Sequence, residues 1–281
     1  MRTEELLREL HRREIVVFGT GFVAERFWLA LERTQAADQV SFFMTTAQVP
    51  TGTTFHGRPV CRPEERSLDA DSLFCLAVHE SLLPELEALL PGQLMDRGIW
   101  IYPNLWELLC GPALGTGIML SRRKLLTRQD PGCNWITVRY AAIRDLLRQD
   151  PGAAASADRY RRAMAVHCGP ATAEKRFRAL ERLARSVQER GLDPDRPLIV
   201  DTHGHILDGL HRFAAACALR IEDIPCTILP VSEVFAQILD DKNRLPDQVL
   251  RESGFSERDM EWIRLAKAEL IESGKGGVQI G

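Results

Sequence analysis

One stretch in the last third of the chain restricts the fold more than any other: residues 197–229, PLIVDTHGHILDGLHRFAAACALRIEDIPCTIL. It holds three apolar runs of strand length, and Gly204 and Gly209 mark turns after the first two. From Leu210 onward the apolar residues recur at helical spacing and many of them are small, which allows a helix to pack closely on a sheet. The stretch therefore predicts a strand, a tight turn, a second strand, a helix and a third strand.

The start of that helix, Gly209-Leu210-His211-Arg212, brings together groups suited to holding a phosphate. Residues that open a helix expose backbone N–H groups at the positive end of the helix dipole. His211 adds an imidazole, and Arg212 can form paired hydrogen bonds with a phosphate. Asp208, just before, could orient Mg²⁺ or act on an acceptor hydroxyl. The alternative is a glycine turn with His211 and Arg212 exposed on the first helical turn, and the sequence leaves both open.

A metal site at Asp201, His203 and His205 is disfavoured. The two histidines span a turn rather than one face of a regular element, and no Cys or Glu lies near them. The seven cysteines are scattered and form no C-x-x-C pair, which is typical of reduced thiols rather than a zinc cluster. We therefore predict no protein-held metal, and we read the histidines as part of the scaffold or the rim of a substrate site.

The first half of the chain alternates strand and helix patterns. EIVVF (14–18) is followed at once by GTGFVAERFWLAL, and further strands are predicted at 39–44, 72–78 and 98–103. This order predicts a parallel sheet with helices on both faces. Gly19, Gly21 and Ala24 form G-x-G-x-x-A, the pattern of a dinucleotide-binding turn. The acidic residue expected after the second strand is absent, since SFFMTT ends that strand, so the simpler interpretation is a tight strand-to-helix turn.

Length and charge limit the organisation and the partners. A chain of 281 residues has room for two modest domains, and we place the junction near 115–130, inside a segment (108–135) that carries glycines and prolines on either side of Arg122, Arg123, Lys124 and Arg128. These four basic residues are read as a solvated linker face, with a nucleic-acid-binding patch as the alternative. The formal net charge of −3 does not argue for nucleic acid or an acidic membrane. No apolar run is long enough to span a bilayer, and the charged N-terminus lacks the apolar core of a signal peptide, so we expect a cytoplasmic protein.

The second half is predicted to be rich in helices. We expect a strand and then a short helix in 134–151, and helices at 157–166 and 172–190, the second with Thr172 as its N-cap and Gly191 as its C′ residue. The tail is expected to be mostly helical, with Ser256 and Asp259 resembling an N-terminal cap and its partner. Between residues 157 and 190 there are nine Lys or Arg and four Asp or Glu, a local surplus that favours an anionic partner. The tail has the rhythm of a helix-turn-helix motif, but its second helix is acidic, so a packing or oligomerisation role is favoured over DNA binding.

Residues 14–110 resemble the small Rossmann-like domain that precedes sugar acyltransferases of surface-polysaccharide pathways. The resemblance is carried by FFMTTAQVPTGTTFHGRPV after the second strand. It implies a domain able to bind a nucleotide-sugar. The hexapeptide-repeat domain that carries the acyltransferase activity in that family is absent, so the activity itself is not implied.

Residues 134–231 resemble the ParB/sulfiredoxin fold, through PLIVDTHGHILDGLHR and the strand and helix patterns around it. Sulfiredoxins have a catalytic cysteine directly after the glycine, where this chain has Leu210. ParB proteins that use CTP have a glutamate and two arginines there, where Leu210 and His211 replace the first two. The D-G-x-H-R form is closest to the free serine kinase branch. The essential carboxylate of that branch corresponds by spacing to Asp150, in RDLLRQD with Asp145.

These resemblances imply an α/β protein with a Rossmann-like domain (1–118), a ParB/sulfiredoxin-like α+β domain (130–232) and a helical appendage (233–281). They imply a nucleotide-dependent phosphotransferase that acts on a small hydroxylated metabolite with ATP or ADP, or with CTP, together with Mg²⁺. Asp208, Asp150 and His211 are the expected catalytic residues. The expected nucleotide contacts are Gly209 to Arg212, with Gly19 and Gly21 as a second set. The alternatives are a ParB-like nucleic-acid-binding or nucleotide-switch protein and a Rossmann-domain binder of NAD(P) or a nucleotide-sugar. A homo-oligomer is compatible with all three.

Overall fold

A computed structural model describes residues 2–90, 92–129, 134–149, 152–230 and 245–274. The chain divides into two compact units, Met1–Pro112 and Ala113–Gly281. Both units combine helices with a sheet, and most strand pairs of the first are parallel. The expected α/β class is therefore confirmed at this coarse level.

The first unit contains helices on either side of a sheet. Its helices are α1 (Thr3–Arg12), α2 (Phe22–Arg33), α3 (Leu83–Leu89), α4 (Gly92–Arg97) and α5 (Leu105–Cys110). Its strands are β1 (Ile15–Phe18), β2 (Val40–Met44), β3 (Thr54–Phe55), β4 (Arg58–Cys61), β5 (Leu73–Leu76) and β6 (Gly98–Trp100). The strands lie in the order β3-β4-β2-β1-β5-β6, and only the β3–β4 hairpin is antiparallel.

The strands β1 and β5 of the first unit are unbroken apolar runs in the sequence, and the core of this unit explains why. All four residues of β1 and of β5 are buried, because side chains on both faces of the sheet are covered. Val16 and Phe18 face a cluster that includes Leu86 of α3, whereas Phe43 of β2 contacts Trp28 of α2 on the opposite face. The three strands predicted after β1 are confirmed as β2, β5 and β6.

The second unit contains four strands and six helices among its described residues. The strands are β7 (Gly115–Ser121), β8 (Leu198–Asp201), β9 (Ile206–Asp208) and β10 (Asp223–Leu229). The helices are α6 (Arg122–Arg128), α7 (Asn134–Leu147), α8 (Ala153–Arg190), α9 (Leu210–Leu219), α10 (Asp247–Glu252) and α11 (Glu257–Gly274). The sheet has the order β7-β10-β8-β9, in which β10 and β8 are parallel and the other pairs antiparallel.

The prediction for residues 197–229 is confirmed element by element. β8, β9, α9 and β10 follow in the expected order, and the buried small residues Ala214, Ala215 and Ala216 lie in the core that α9 shares with α7 and α8. The expected end of helix 172–190 is also confirmed, since Gly191 closes α8 with φ 77° and its N–H bonds Val187 O at 2.9 Å.

The predicted strand at the start of 134–151 is wrong. This segment forms the single helix α7, and every residue from 134 to 143 is buried. A helix covered on all sides has no polar face, so its sequence lacks the 3.6-residue alternation that identifies a helix. Its aromatic and β-branched residues instead resemble a strand, and tertiary burial outweighs that local preference.

Residues 115–128, expected at the domain junction, form β7 and α6 of the second unit. β7 pairs with β10 from Asp223 to Ile228, so the expected first-domain boundary at residue 118 falls inside a strand of the second unit. Of the four basic residues predicted to face solvent there, Arg122 is buried and contacts Glu222 at 3.3 Å. The two helices predicted at 157–166 and 172–190 are confirmed as the two parts of α8, which a kink at Gly169, with φ 73° and ψ 162°, separates just before Pro170.

Candidate functional site

The turn between β8 and β9 is organised by the buried carboxylate of Asp201. Its Oδ1 accepts the backbone N–H groups of His203 and His205 at 2.9 and 2.8 Å. Its Oδ2 lies 2.8 Å from Nδ1 of His205. Gly204, at φ 89°, supplies the left-handed conformation that the turn requires. These contacts give Asp201 and His205 a structural task in holding the turn.

Gly209 ends β9 and caps α9 in a left-handed conformation, φ 95° and ψ 18°. A Cβ at this position would lie 2.4 Å from Cδ2 of Leu198, a buried residue of the neighbouring strand. Both the backbone conformation and the close approach to β8 therefore require glycine. The glycine also has no side chain with which to cap the first N–H groups of α9.

The backbone at the start of α9 is arranged as the sequence predicts for an anion site. The first intrahelical bond runs from Phe213 N–H to Gly209 O at 2.9 Å. The N–H groups of Leu210, His211 and Arg212 therefore lie before the first hydrogen bond of the helical ladder. They lie at the positive end of a ten-residue helix.

Arg212 holds the turn into α9. Its Nη1 donates to the backbone carbonyls of Arg196 and Pro197, the latter at 2.9 Å, and its Nη2 contacts Asp208 Oδ2 at 3.3 Å. These bonds tie the segment before β8 to the junction of β9 and α9. The guanidinium predicted to grip a phosphate thus already has three protein acceptors, and Asp208 is its ion-pair partner.

His211 is held by a residue that sequence reasoning missed. The hydroxyl of Tyr160, on α8, lies 2.9 Å from Nε2 of His211, and Tyr160 is completely buried. Burial raises the pKa of Tyr160 to about 12, although the charges of Arg139 and Arg176 act in the opposite direction. The positive charges of Arg139 and Arg176 thus favour the ionised form of Tyr160, but burial outweighs them. Tyr160 is 51 positions from His211, so no local pattern could have indicated the contact.

Of the two carboxylates that the sequence places near the end of α7, Asp145 and Asp150, the structure describes only Asp145. Asp150 lies outside the described residues. Asp145 is buried, accepts hydrogen bonds from the Ser156 hydroxyl and from Trp262 Nε1, and pairs with Arg144 at 2.7 Å. Burial opposes ionisation of Asp145, but these hydrogen bonds prevail and lower its pKa. With these partners, Asp145 serves to join α7, α8 and α11.

The acidic tail helix pairs with basic residues of the second unit. Asp259 of α11 contacts Nε of Arg159 at 2.7 Å and Nη2 of Arg162 at 3.1 Å, and Glu269 pairs with Arg144 of α7 and with Arg148, the residue that follows the end of α7. The predicted cap of this helix is confirmed, since Asp259 N–H bonds Ser256 Oγ at 3.3 Å. Two of the basic residues expected to face an anionic partner, Arg159 and Arg162, therefore face α11.

In the first unit, the two glycines of G-x-G-x-x-A differ in what fixes them. Gly19 has φ 120°, and a Cβ there would lie 2.7 Å from Ala77 O at the end of β5. Gly21 caps α2 with φ −97°, and a Cβ there would have no heavy atom within 4 Å. Packing therefore requires glycine at Gly19, whereas neither packing nor the backbone conformation requires it at Gly21.

Comparison with models of protein families, with curated proteins and with solved structures gives no match. No helix in the described part of the chain has both the length and the apolar character needed to cross a membrane. Among the described residues, no three His, Cys, Asp or Glu side chains are placed to form a metal site.

Proposed function

We propose that the second unit binds the phosphate groups of a nucleotide at the start of α9, and that the protein is a nucleotide-dependent phosphotransferase acting on a small hydroxylated metabolite. The observation that carries this proposal is the left-handed Gly209 cap, which presents the N–H groups of Leu210, His211 and Arg212 next to an imidazole. The β8-β9-α9-β10 order supports it, because the resemblance to the ParB/sulfiredoxin fold rests on that segment.

The roles of the charged residues follow from their contacts. Arg212 holds the phosphate-binding turn in shape and contributes positive charge, whereas His211 and the backbone N–H groups contact the phosphate. Asp208 lies beside this turn with a quarter of its side chain exposed, and is the candidate for activating the acceptor hydroxyl. Asp150 remains a candidate for the same role from its sequence spacing alone.

The nucleotide would be ATP or ADP, with CTP as a further candidate, together with Mg²⁺. Magnesium in phosphoryl-transfer sites is commonly bound by one or two carboxylates and by the phosphates themselves, with water completing the shell. Asp208, beside the turn, is one such carboxylate, and binding a magnesium ion that arrives with the nucleotide is the alternative to its role in activating the hydroxyl. When bound, the ion would neutralise charge on the phosphates.

Calorimetric titration of the full chain tests this function. We expect ATP, ADP or CTP with Mg²⁺ to bind, and His211→Ala to weaken binding about tenfold, because a hydrogen bond to a charged group contributes about 1.5 kcal/mol or more. His11→Ala is the matched control, since His11 is an exposed histidine of the first unit. Unchanged affinity in His211→Ala, or no binding to the wild type, would refute the assignment.

A second candidate function is supported by the Gly19 turn of the first unit. The strand order places β1 between β2 and β5, and the carboxyl ends of strands at such a reversal form the usual nucleotide crevice of open parallel sheets. We propose a nucleotide-sugar or NAD(P) as ligand there. Gly21→Ala should leave the stability unchanged but block close approach of a phosphate, and ultraviolet titration with NADH, NADPH and a uridine diphosphate sugar would measure the loss.

A further inference from the structure

The carboxyl ends of three neighbouring strands of the first unit, β1, β2 and β4, are joined by hydrogen bonds. The N–H of Gly19, which follows β1, donates to the carbonyl of Met44 at the end of β2, at 2.8 Å. The N–H of Thr45 donates to the carbonyl of Cys61 at the end of β4, at 3.1 Å. Because adjacent strands lie about 4.8 Å apart, the end of β4 is about 10 Å from the Gly19 turn along the same edge of the sheet.

A cavity of about 420 Å³ lies at this edge, between the segment that follows β2 and the segment that follows β4. The wall after β2 is held in place, because the N–H and the hydroxyl of Thr53 both donate to the carbonyl of Pro50, at 3.1 and 2.6 Å. Amide, guanidinium and carboxylate groups in the lining suit the hydroxyl groups of a sugar. The cavity is lined by Gln48, Val49, Pro50, Arg62 and Glu65.

The carboxylate of Glu65 has one oxygen fixed by the protein and a second oxygen available to a ligand. Its Oε2 accepts the backbone N–H of Arg62 at 2.8 Å, and the N–H of Glu65 donates to the carbonyl of Arg62 at 3.0 Å. These two bonds close a turn that fixes the carboxylate. The guanidinium of Arg62 is paired with the exposed carboxylate of Glu64. Among the described residues, Oε1 of Glu65 has no hydrogen-bond partner.

We propose that Glu65 accepts hydrogen bonds from the ribose hydroxyls of a nucleotide bound in this cavity. In dinucleotide-binding folds an acidic residue after the second strand bonds the ribose 2′-hydroxyl, and SFFMTT lacks that residue. Glu65 supplies a carboxylate at the same edge from the segment after β4, the strand beside β2. The inference rests on the second candidate function, a nucleotide site at the Gly19 turn. It selects NADH or a nucleoside diphosphate sugar over NADPH, because a 2′-phosphate would bring a like charge beside Glu65.

Fluorescence titration of the full chain with NADH and with NADPH measures this selection. We expect NADH to bind about tenfold more tightly than NADPH, and Glu65→Gln to weaken NADH binding about tenfold through the loss of a hydrogen bond to a charged acceptor. The glutamine keeps an oxygen for the N–H of Arg62, so the turn is preserved. Glu64→Gln is the matched control, because it removes the same charge from the next residue, outside the lining of the cavity. It should change the NADH affinity less than about twofold, since an exposed ion pair contributes little.

A uridine diphosphate sugar and its 2′-deoxyribose counterpart test the hydroxyl without a second charge, and this pair decides if only sugar nucleotides bind. The deoxy ligand should bind the wild type about fivefold more weakly, the equivalent of one hydrogen bond, and the two should bind Glu65→Gln alike. NADPH binding as tight as NADH, or equal affinities of the wild type and Glu65→Gln, overturns the role of Glu65 and leaves the second candidate function standing. A wild type that binds none of the four ligands refutes that function and this inference together.

Discussion

Replacing Gly209 by alanine should destabilise the second unit by two separable amounts. The left-handed backbone costs an alanine about 1–2 kcal/mol. The new Cβ, 2.4 Å from Cδ2 of the buried Leu198, lies more than about 1 Å inside the optimal carbon–carbon distance, so the core must shift. Overpacking of this kind typically costs about 1–3 kcal/mol, which brings the expected total to about 3 kcal/mol.

Gly254→Ala separates the two amounts. Gly254 is also in the second unit and has φ 83°, but a Cβ there would have no heavy atom within 4 Å. It should therefore cost only the backbone part, about 1–2 kcal/mol. Urea unfolding of the full chain, followed by circular dichroism, compares the two variants. In thermal unfolding, the total for Gly209→Ala corresponds to a midpoint lowered by about 6–12 °C. If Gly209→Ala is no more destabilising than Gly254→Ala, the packing argument at β8 is refuted.

Three further predictions concern charged groups. Asp259→Asn should lower the free energy of unfolding at pH 7 by about 1–2 kcal/mol relative to the wild type. The pKa of Asp259 is lowered because its hydrogen bonds to Arg159, Ser256 and Arg162 outweigh the effect of burial. Urea unfolding at several pH values should therefore show the full difference above about pH 4 and a smaller difference as the pH falls toward the lowered pKa. Arg212→Lys should cost about 2 kcal/mol in the same assay, since one ammonium cannot reproduce its forked contacts with two carbonyls and Asp208. Asp145→Asn should also cost about 2 kcal/mol, and a stability equal to the wild type would contradict its role in joining three helices.

The order of β8, β9, α9 and β10 could be predicted because each boundary is set locally. Gly209 is the residue that a left-handed helix cap and a close approach to Leu198 both demand, and apolar runs of strand length precede and follow the helix. The same local logic identified the cap at Ser256 and the helix end at Gly191. Where one residue decides the backbone, the sequence is sufficient.

The secondary-structure predictions are wrong where contacts between residues far apart in the sequence determine the structure. α7 was predicted in part as a strand because a helix buried on every side shows no polar alternation. Segment 115–128 was predicted as a junction because its glycines and basic residues resemble a linker, whereas β7 is defined by its pairing with β10, about a hundred positions away. The candidate site has the same limit, since Tyr160 reaches His211 only once α8 and α9 are packed together.

The contacts of α11 determine how this protein can be dissected experimentally. Its buried residues Met260, Ile263 and Leu270 belong to the same core as α7 and α9. A fragment that stops at residue 230 would expose that core, and Asp145 would lose the indole of Trp262. The C-terminal helix is thus part of one cooperative folding unit, and a soluble fragment carrying the α9 site has to extend from residue 113 through α11.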